Sequence, residues 1–216
     1  MQTCFIFVFI ICWISFIVAF THRTLLDPLK YDSKFSQCDR CLHPLKWWQL
    51  IPVGGWIFQK GRCHWCQQPI DAFNPMIELI LTTWYLSKFQ IYGAIPTLII
   101  LTTITIITTT DWYEQWINPV FLCGFLPFRS VMLTASHWFI YLIEVGLILF
   151  LLGMNYQQKL GLGDTAYLII IIFSVGLTAT CWIMLCACLL ILLTSRYQTK
   201  SLPFIPYLNL GLILIV

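Results

Sequence analysis

Charge is scarce in this chain. Only 10% of its 216 residues are Asp, Glu, Lys or Arg, and none of these falls in the first twenty positions. Soluble domains carry about 25% charged residues, so an ordinary water-soluble enzyme is excluded. Hydrophobic residues make up 59% of the chain and the mean hydropathy is +0.83, which reads as a multispanning membrane protein. The net charge of +3 is too small to argue for a nucleic-acid partner and leaves topology as the use of the basic residues. The basic n-region and small-residue cleavage site of a signal peptide are also lacking, so residues 1–20 are expected to remain as a first helix. No G-x-S-x-G is present, and Ser15, Ser130 and Ser136 have no base at a recognisable spacing, which leaves no evident serine nucleophile.

What the chain has instead is a series of apolar runs, at 4–20, 75–86, 91–110, 117–128, 138–154, 165–177, 178–194 and 203–216. A span needs about 20 residues, with a range near 17 to 25, so several runs are short. They predict an all-α polytopic membrane helix bundle of about eight transmembrane helices. Its parts would be a first transmembrane helix over 1–20, a cytoplasmic loop over 21–74, and a membrane bundle over 75–216. Glu78 and Glu144 fall inside runs and are expected to face protein or water, since a carboxylate facing lipid is costly.

Orientation follows from Lys and Arg near the helix ends. With loop 21–74 in the cytoplasm, Arg23, Lys30, Lys34, Arg40, Lys46, Lys60 and Arg62 lie there. Alternation through eight helices adds Lys159, Arg196 and Lys200 and leaves Lys88 and Arg129 outside, so ten of twelve basic residues share one side. The same alternation brings Asp111 and Asp164 to the cytoplasmic face.

Loop 21–74 contains Cys38-Asp39-Arg40-Cys41 and Cys63-His64-Trp65-Cys66, a C-x2-C-x21-C-x2-C array. Two such pairs supply the four thiolates of a closed tetrahedral zinc site. Disulfides are the alternative, but a cytoplasmic loop is kept reduced. The loop has little apolar content of its own, so bound zinc would supply most of its folding energy. His43 and His64 are read as bystanders. The stretch 45–58, around Pro52, Gly54 and Gly55, reads as a small hairpin. Trp47, Trp48, Trp56 and Trp65 are expected to cover this knuckle at headgroup level. Cys4, Cys12, Cys123, Cys181, Cys186 and Cys188 lie in apolar runs without ligand spacing and read as small packing residues.

The remaining chemistry lies in Gly161-Leu162-Gly163-Asp164, a glycine-rich turn at the mouth of an apolar run. A carboxylate that enters the bilayer costs about 2.5 to 3.5 kcal/mol, so its presence asks for a use. The glycines would permit positive φ or close approach of another segment. Taken alone, Asp164 reads equally well as a helix cap, and Asp111 as an interfacial charge. Taken together, two carboxylates in one site cannot both ionise cheaply. One keeps a proton while the other acts as base towards water, the arrangement for general acid/base hydrolysis of an amide. The alternative for the whole chain is a zinc-stapled membrane scaffold or transport component without peptidase activity.

With these residues in place, the sequence resembles the prepilin leader peptidases of type IV pilus, type II secretion and competence systems, which are membrane aspartic peptidases of the Gly-x-Gly-Asp type. The likeness runs through Ser15-Phe16, His22-Arg23, the four cysteines with Leu50-Ile51-Pro52-Val53 and Gly61-Arg62-Cys63, Glu78, Asp111, Gly161 to Asp164, and Pro203-Phe204-Ile205-Pro206-Tyr207. It departs at Ile14 and Val18 in the first helix, at Asn118-Pro119, and at Thr165-Ala166-Tyr167, where the family often carries a Lys. The resemblance implies that Asp111 and Asp164 are the catalytic pair, acting on the N-terminal segments of prepilins or pseudopilins at the cytoplasmic face of a bacterial cytoplasmic membrane. Many members of that family also N-methylate the new terminus with S-adenosylmethionine, a second activity for which this chain shows no motif of its own. The short chain and cysteine loop look most like the competence-type enzymes of Gram-positive bacteria.

Overall fold

A computed structural model of the chain describes residues 2–26, 36–38, 40–125, 138–157, 161–195 and 203–215. Lys30, Lys34, Arg129, Lys159, Arg196 and Lys200, on which half of the orientation argument rests, lie outside the described residues, as do Ser130 and Ser136. Among the described residues the structure is helical with no strand, and the chain divides into two units, Met1–Gly93 and Ala94–Val216.

In the first unit, α1 (Gln2–Thr21) runs on into a π-turn at His22–Leu26 and packs along α3 (Phe73–Tyr92). Ile10, Ile14, Ile17 and Val18 recur at helical spacing and are buried, as are Ile77, Leu81, Trp84 and Tyr85 on α3. The other face of α1 carries a ladder of rings, exposed at Phe9, Phe16 and Phe20 and half-buried at Trp13, whose successive centroids lie 6.2, 6.4 and 6.2 Å apart. A helix apolar all round is what a lipid-facing span requires. α3 is longer than the apolar run 75–86 because the polar residues after it continue the helix until Gly93, whose φ of 88° ends it.

The second unit begins with α4 (Ala94–Glu114), the threonine-rich helix. Thr103, Thr105, Thr108 and Thr109 are buried, and each hydroxyl bonds to the carbonyl four residues back, at 2.6 to 2.9 Å. That self-satisfaction lets polar side chains sit in an apolar interior. A 3-10 segment at Pro119–Phe125 folds back on α4, and Gly124 meets Thr103 so closely that no Cβ would fit there. α5 (Trp138–Tyr156), α6 (Leu162–Val175), α7 (Leu177–Ser195) and α8 (Ile205–Ile215) complete the unit. α6 and α7 are separate helices broken at Gly176, with φ 89°. α8 packs on α7 and on α4; at its closest approach a Cβ on Gly211 would stand 2.8 Å from the Ile183 carbonyl oxygen.

The all-helical membrane class is observed, but the count of about eight spans is not. Among the described residues three helices are long and apolar enough to cross a bilayer, at Thr3–Leu25, Ala94–Glu114 and Leu177–Thr194, and three shorter apolar helices lie at Ile143–Tyr156, Leu162–Val175 and Ile205–Ile215. The run at 117–128 is a short 3-10 segment over its described part, because Asn118 caps it through Val120 and the segment packs against α4 and α6.

Candidate active site and tetracysteine cluster

In the first unit the four expected ligands converge. The Sγ atoms of Cys38, Cys41, Cys63 and Cys66 all lie within 4.8 Å of one another, and Cys38 and Cys66 are 3.9 Å apart. A tetrahedron with Zn–S bonds of about 2.3 Å has S–S edges of about 3.8 Å, so the set fits a closed S4 site for a metal such as zinc. The two halves fold alike. Cys38 N–H donates to the His43 carbonyl at 3.0 Å and Leu42 N–H to the Cys38 carbonyl at 2.9 Å; Cys63 N–H donates to Gln68 at 2.9 Å and Gln67 N–H to Cys63 at 3.0 Å. Leu42 and Gln67 both take the left-handed conformation, at φ 56° and 57°, and isolated bridges Gln37 to Pro44 and Arg62 to Pro69 close the two turns. The sequence carried this signal as an unremarked repeat, C-x2-C-x2-P at 38–44 and 63–69. Backbone N–H groups of Cys66 and Trp65 beside the Cys63 sulfur hold its thiol down at about 7. His43 lies against Trp65 with ring centroids 4.0 Å apart, and His64 against Trp48 and Trp65.

The hairpin expected at 45–58 does not form. A 3-10 turn at Trp47–Leu50 and a short helix α2 at Gly54–Phe58 stand there instead. Side chains take up the backbone groups a ladder would have used. Gln49 accepts the Lys46 N–H and donates to Gln59, each at 2.8 Å, and Glu78 accepts the Val53 N–H at 2.8 Å. Glu78 also bonds to Ser15, so the carboxylate that was expected to face protein ties α1, α3 and the left-handed residue Val53 (φ 55°) together. Neither the Glu78–Val53 bond nor the Ser15 bond was legible in the sequence. Around them lies a cavity of about 470 Å³ whose lining includes Ser15, Arg40, Gln49, Asp71 and Glu78. Trp47 is 79% and Trp65 52% exposed, while Trp56 Nε1 donates to the Ile70 carbonyl at 3.2 Å.

In the second unit, Asp111 and Asp164 line one cavity of about 590 Å³, together with Gln115, Trp116, Ile117, Gly161, Gly163, Pro203 and Phe204. They are close enough for the charge on Asp164 to act on Asp111. Asp111 stands in the last turn of α4, 5% exposed, and its Oδ2 accepts the N–H of Ile205, the first residue of α8, at 3.0 Å. A helix N-terminus presents free N–H groups and partial positive charge, so α8 begins where a carboxylate needs it. Gln115, at φ 52°, ends α4, with its N–H on the Asp111 carbonyl at 3.2 Å.

Asp164 is the third residue of α6, half-buried, and so is not the helix cap; Gly161 takes that position with φ −62° and ψ 145°. Neither glycine of the turn uses positive φ. Gly163 is needed for close approach, since a Cβ there would lie 2.8 Å from Ile117 Cδ1. Thr165 secures the turn by donating its hydroxyl to the Gly161 carbonyl at 2.8 Å, and Asn155 of α5 donates to Thr165 at 3.3 Å. Glu114 is exposed and does not line the cavity. Ile205 was missed as a member of the site because it contributes a backbone amide rather than a side chain. Its signals were Pro203 and Pro206 flanking the start of α8 and the place of Ile205 in the Pro203-to-Tyr207 stretch of the family likeness.

A helical membrane protein with a cysteine-ligand knuckle in one unit and an acid-lined cavity in the other is thus defined. Residues 8–92 match the family described as "Bacterial Peptidase A24 N-terminal domain", ending beside the boundary of the first unit at Gly93. Curated relatives are named prepilin leader peptidase/N-methyltransferase. One from Myxococcus xanthus is 28% identical over 120 residues, covering 54% of this chain and 35% of its own length. One from Aeromonas salmonicida is 26% identical over 201 residues, covering 82% of this chain and 68% of its own length. A third from Escherichia coli, named type 4 prepilin-like proteins leader peptide-processing enzyme, is 26% identical over 200 residues, 82% of this chain and 72% of its own. No solved structure matches. These likenesses support the type IV prepilin leader peptidase family as the one this chain resembles.

Proposed function

We propose that this chain is a membrane-embedded aspartic endopeptidase that removes the leader from prepilins or pseudopilins at the cytoplasmic face of a bacterial cytoplasmic membrane. The observation that carries the reading is the cavity shared by Asp111 and Asp164. One carboxylate accepts a proton from water as its oxygen attacks the scissile carbonyl. The other, protonated, hydrogen-bonds to the developing oxyanion, and the first carboxyl passes the proton it took from water to the leaving amine as the C–N bond breaks, which restores both groups. The Ile205 N–H on Asp111 fixes that carboxylate's orientation through the cycle. Walls formed by Trp116, Ile117 and Phe204 suit the apolar flank of a leader peptide.

Cys38, Cys41, Cys63 and Cys66 hold a structural zinc in this reading. With four protein ligands the ion has no open position, so its chemistry is to fold the knuckle rather than to activate water. The relatives' second named activity needs a sulfonium methyl donor, S-adenosylmethionine. The cavity in Met1–Gly93 falls in the size range of small-ligand sites, and Glu78 places a carboxylate there that suits a cationic donor. Incubating the purified protein with a full-length prepilin and sequencing the new N-terminus tests the peptidase reading. A single cut at the end of the basic leader supports it, and an intact prepilin refutes it. Mass analysis of the same terminus with the methyl donor added tests the second activity.

A further inference from the structure

One helical turn away from the two acids, a polar chain runs through the interior of the second unit. The Tyr167 hydroxyl donates to Asn209 Oδ1, Asn209 Nδ2 donates to Thr108 Oγ1 at 2.7 Å, and the Thr108 hydroxyl donates to the Ile104 carbonyl at 2.6 Å. Tyr167 is 0%, Asn209 2% and Thr108 5% exposed. None of the three lines the acid cavity. The direction of the chain is forced. Thr108 has one proton and uses it on its own helix, so its oxygen must accept from Asn209, which leaves the Asn209 carbonyl to accept from tyrosine.

The spacing ties this chain to the site. Thr108 precedes Asp111 by three residues on α4, Tyr167 follows Asp164 by three on α6, and Asn209 follows Ile205 by four on α8. Residues three or four apart lie on the same helix face, so each helix supplies one member of the polar chain and one member of the site. A slip of one residue along any of these helices turns its face by about 100° and leaves a hydroxyl or carboxamide unbonded in an apolar interior. Aliphatic side chains of similar size would fill the same space and tolerate several registers; a lone polar group in an apolar seam selects one.

We propose that Thr108, Tyr167 and Asn209 are positioning residues that lock the register of α4, α6 and α8 so that Asp111 and Asp164 meet in one cavity. This rests on the acid-pair reading above, and the experiment therefore has an arm that needs no cleavage. Thr108→Val and Tyr167→Phe remove one hydroxyl each at nearly constant shape, and Thr108→Ser keeps the hydroxyl. In steady-state cleavage of a prepilin, Thr108→Val and Tyr167→Phe lower kcat by about 10- to 100-fold, the scale of a misplacement of about 1 Å, with KM within about twofold. Thr108→Ser stays within about threefold of the parent. Asn209→Leu combined with Tyr167→Phe is no worse than Asn209→Leu alone, because the bond they share is lost once. Should Asn209→Leu fail to accumulate, the hydroxyl variants decide.

The cleavage-free arm uses genetically encoded spin labels at Gln115, just past the end of α4, and Leu162, the first residue of α6, both of which line the acid cavity. Their distance distribution broadens in Thr108→Val and Tyr167→Phe and matches the parent in Thr108→Ser. Parent-like kcat together with parent-like distances in both hydroxyl-deleted variants overturns the inference, as does equal loss in Thr108→Ser and Thr108→Val, which would mean packing alone. Asp111→Asn run alongside reports separately on the acid pair. Normal cleavage by that variant sinks the peptidase mechanism while the distance measurement still judges the register lock.

Discussion

Replacing Asp111 by Asn is the most direct perturbation of the acid pair, and the structure sets its size. An asparagine oxygen can still accept the Ile205 N–H now held at 3.0 Å, so the start of α8 stays anchored and the protein still inserts. What disappears is the group that carries or takes a proton. A positioned acid or base contributes about 10²- to 10⁴-fold, or about 3 to 5 kcal/mol of barrier. The two carboxylates work as one unit, so Asp164→Asn loses as much, and the double variant is no slower than either single one beyond a few-fold. The assay is first-order cleavage of a prepilin by purified protein in bilayers, with zinc content and membrane yield as controls for folding. Glu114→Gln, an exposed carboxylate off the cavity wall, cleaves at the parent rate. Normal processing by Asp164→Asn would falsify the mechanism. Loss in Glu114→Gln with activity kept in Asp111→Asn would move the first acid along by one turn.

The metal reading predicts about one zinc per purified chain, reduced in Cys63→Ser and released on acidification, since thiolates are the ligands and protons compete for them; full occupancy in Cys63→Ser would contradict it. Gly163→Ala brings a Cβ to 2.8 Å from Ile117 Cδ1, which costs about 1 to 3 kcal/mol of local packing and lowers cleavage, while Ile117→Ala in the same chain restores much of it; no recovery would show that the glycine has another role. A topology reporter fused after Lys60 reads as cytoplasmic, and an external signal there would place the basic cluster against its expected side of the membrane.

Local chemistry was legible because its partners are close in sequence. The C-x2-C pairs announced a tetrahedral ligand set, the apolar runs announced helices, and Gly161 to Asp164 announced a helix start, since each depends on spacings of a few residues that backbone geometry fixes. The hairpin at 45–58 was misread for the same reason. Its turn residues were visible, but side chains that satisfy its backbone, Gln59 on the Gly55 carbonyl and Glu78 on the Val53 N–H, come from further along the chain. The run at 117–128 likewise showed its hydrophobicity and not the α4 and α6 surfaces that hold it as a 3-10 segment. Tertiary packing alone decided the site. The Ile205 amide reaches Asp111 across 94 residues, Tyr167 reaches Asn209 across 42, and Asn209 reaches Thr108 across 101. No local pattern specifies such pairs, because a buried polar group accepts any partner of the right geometry, and only the packed helices determine which one arrives.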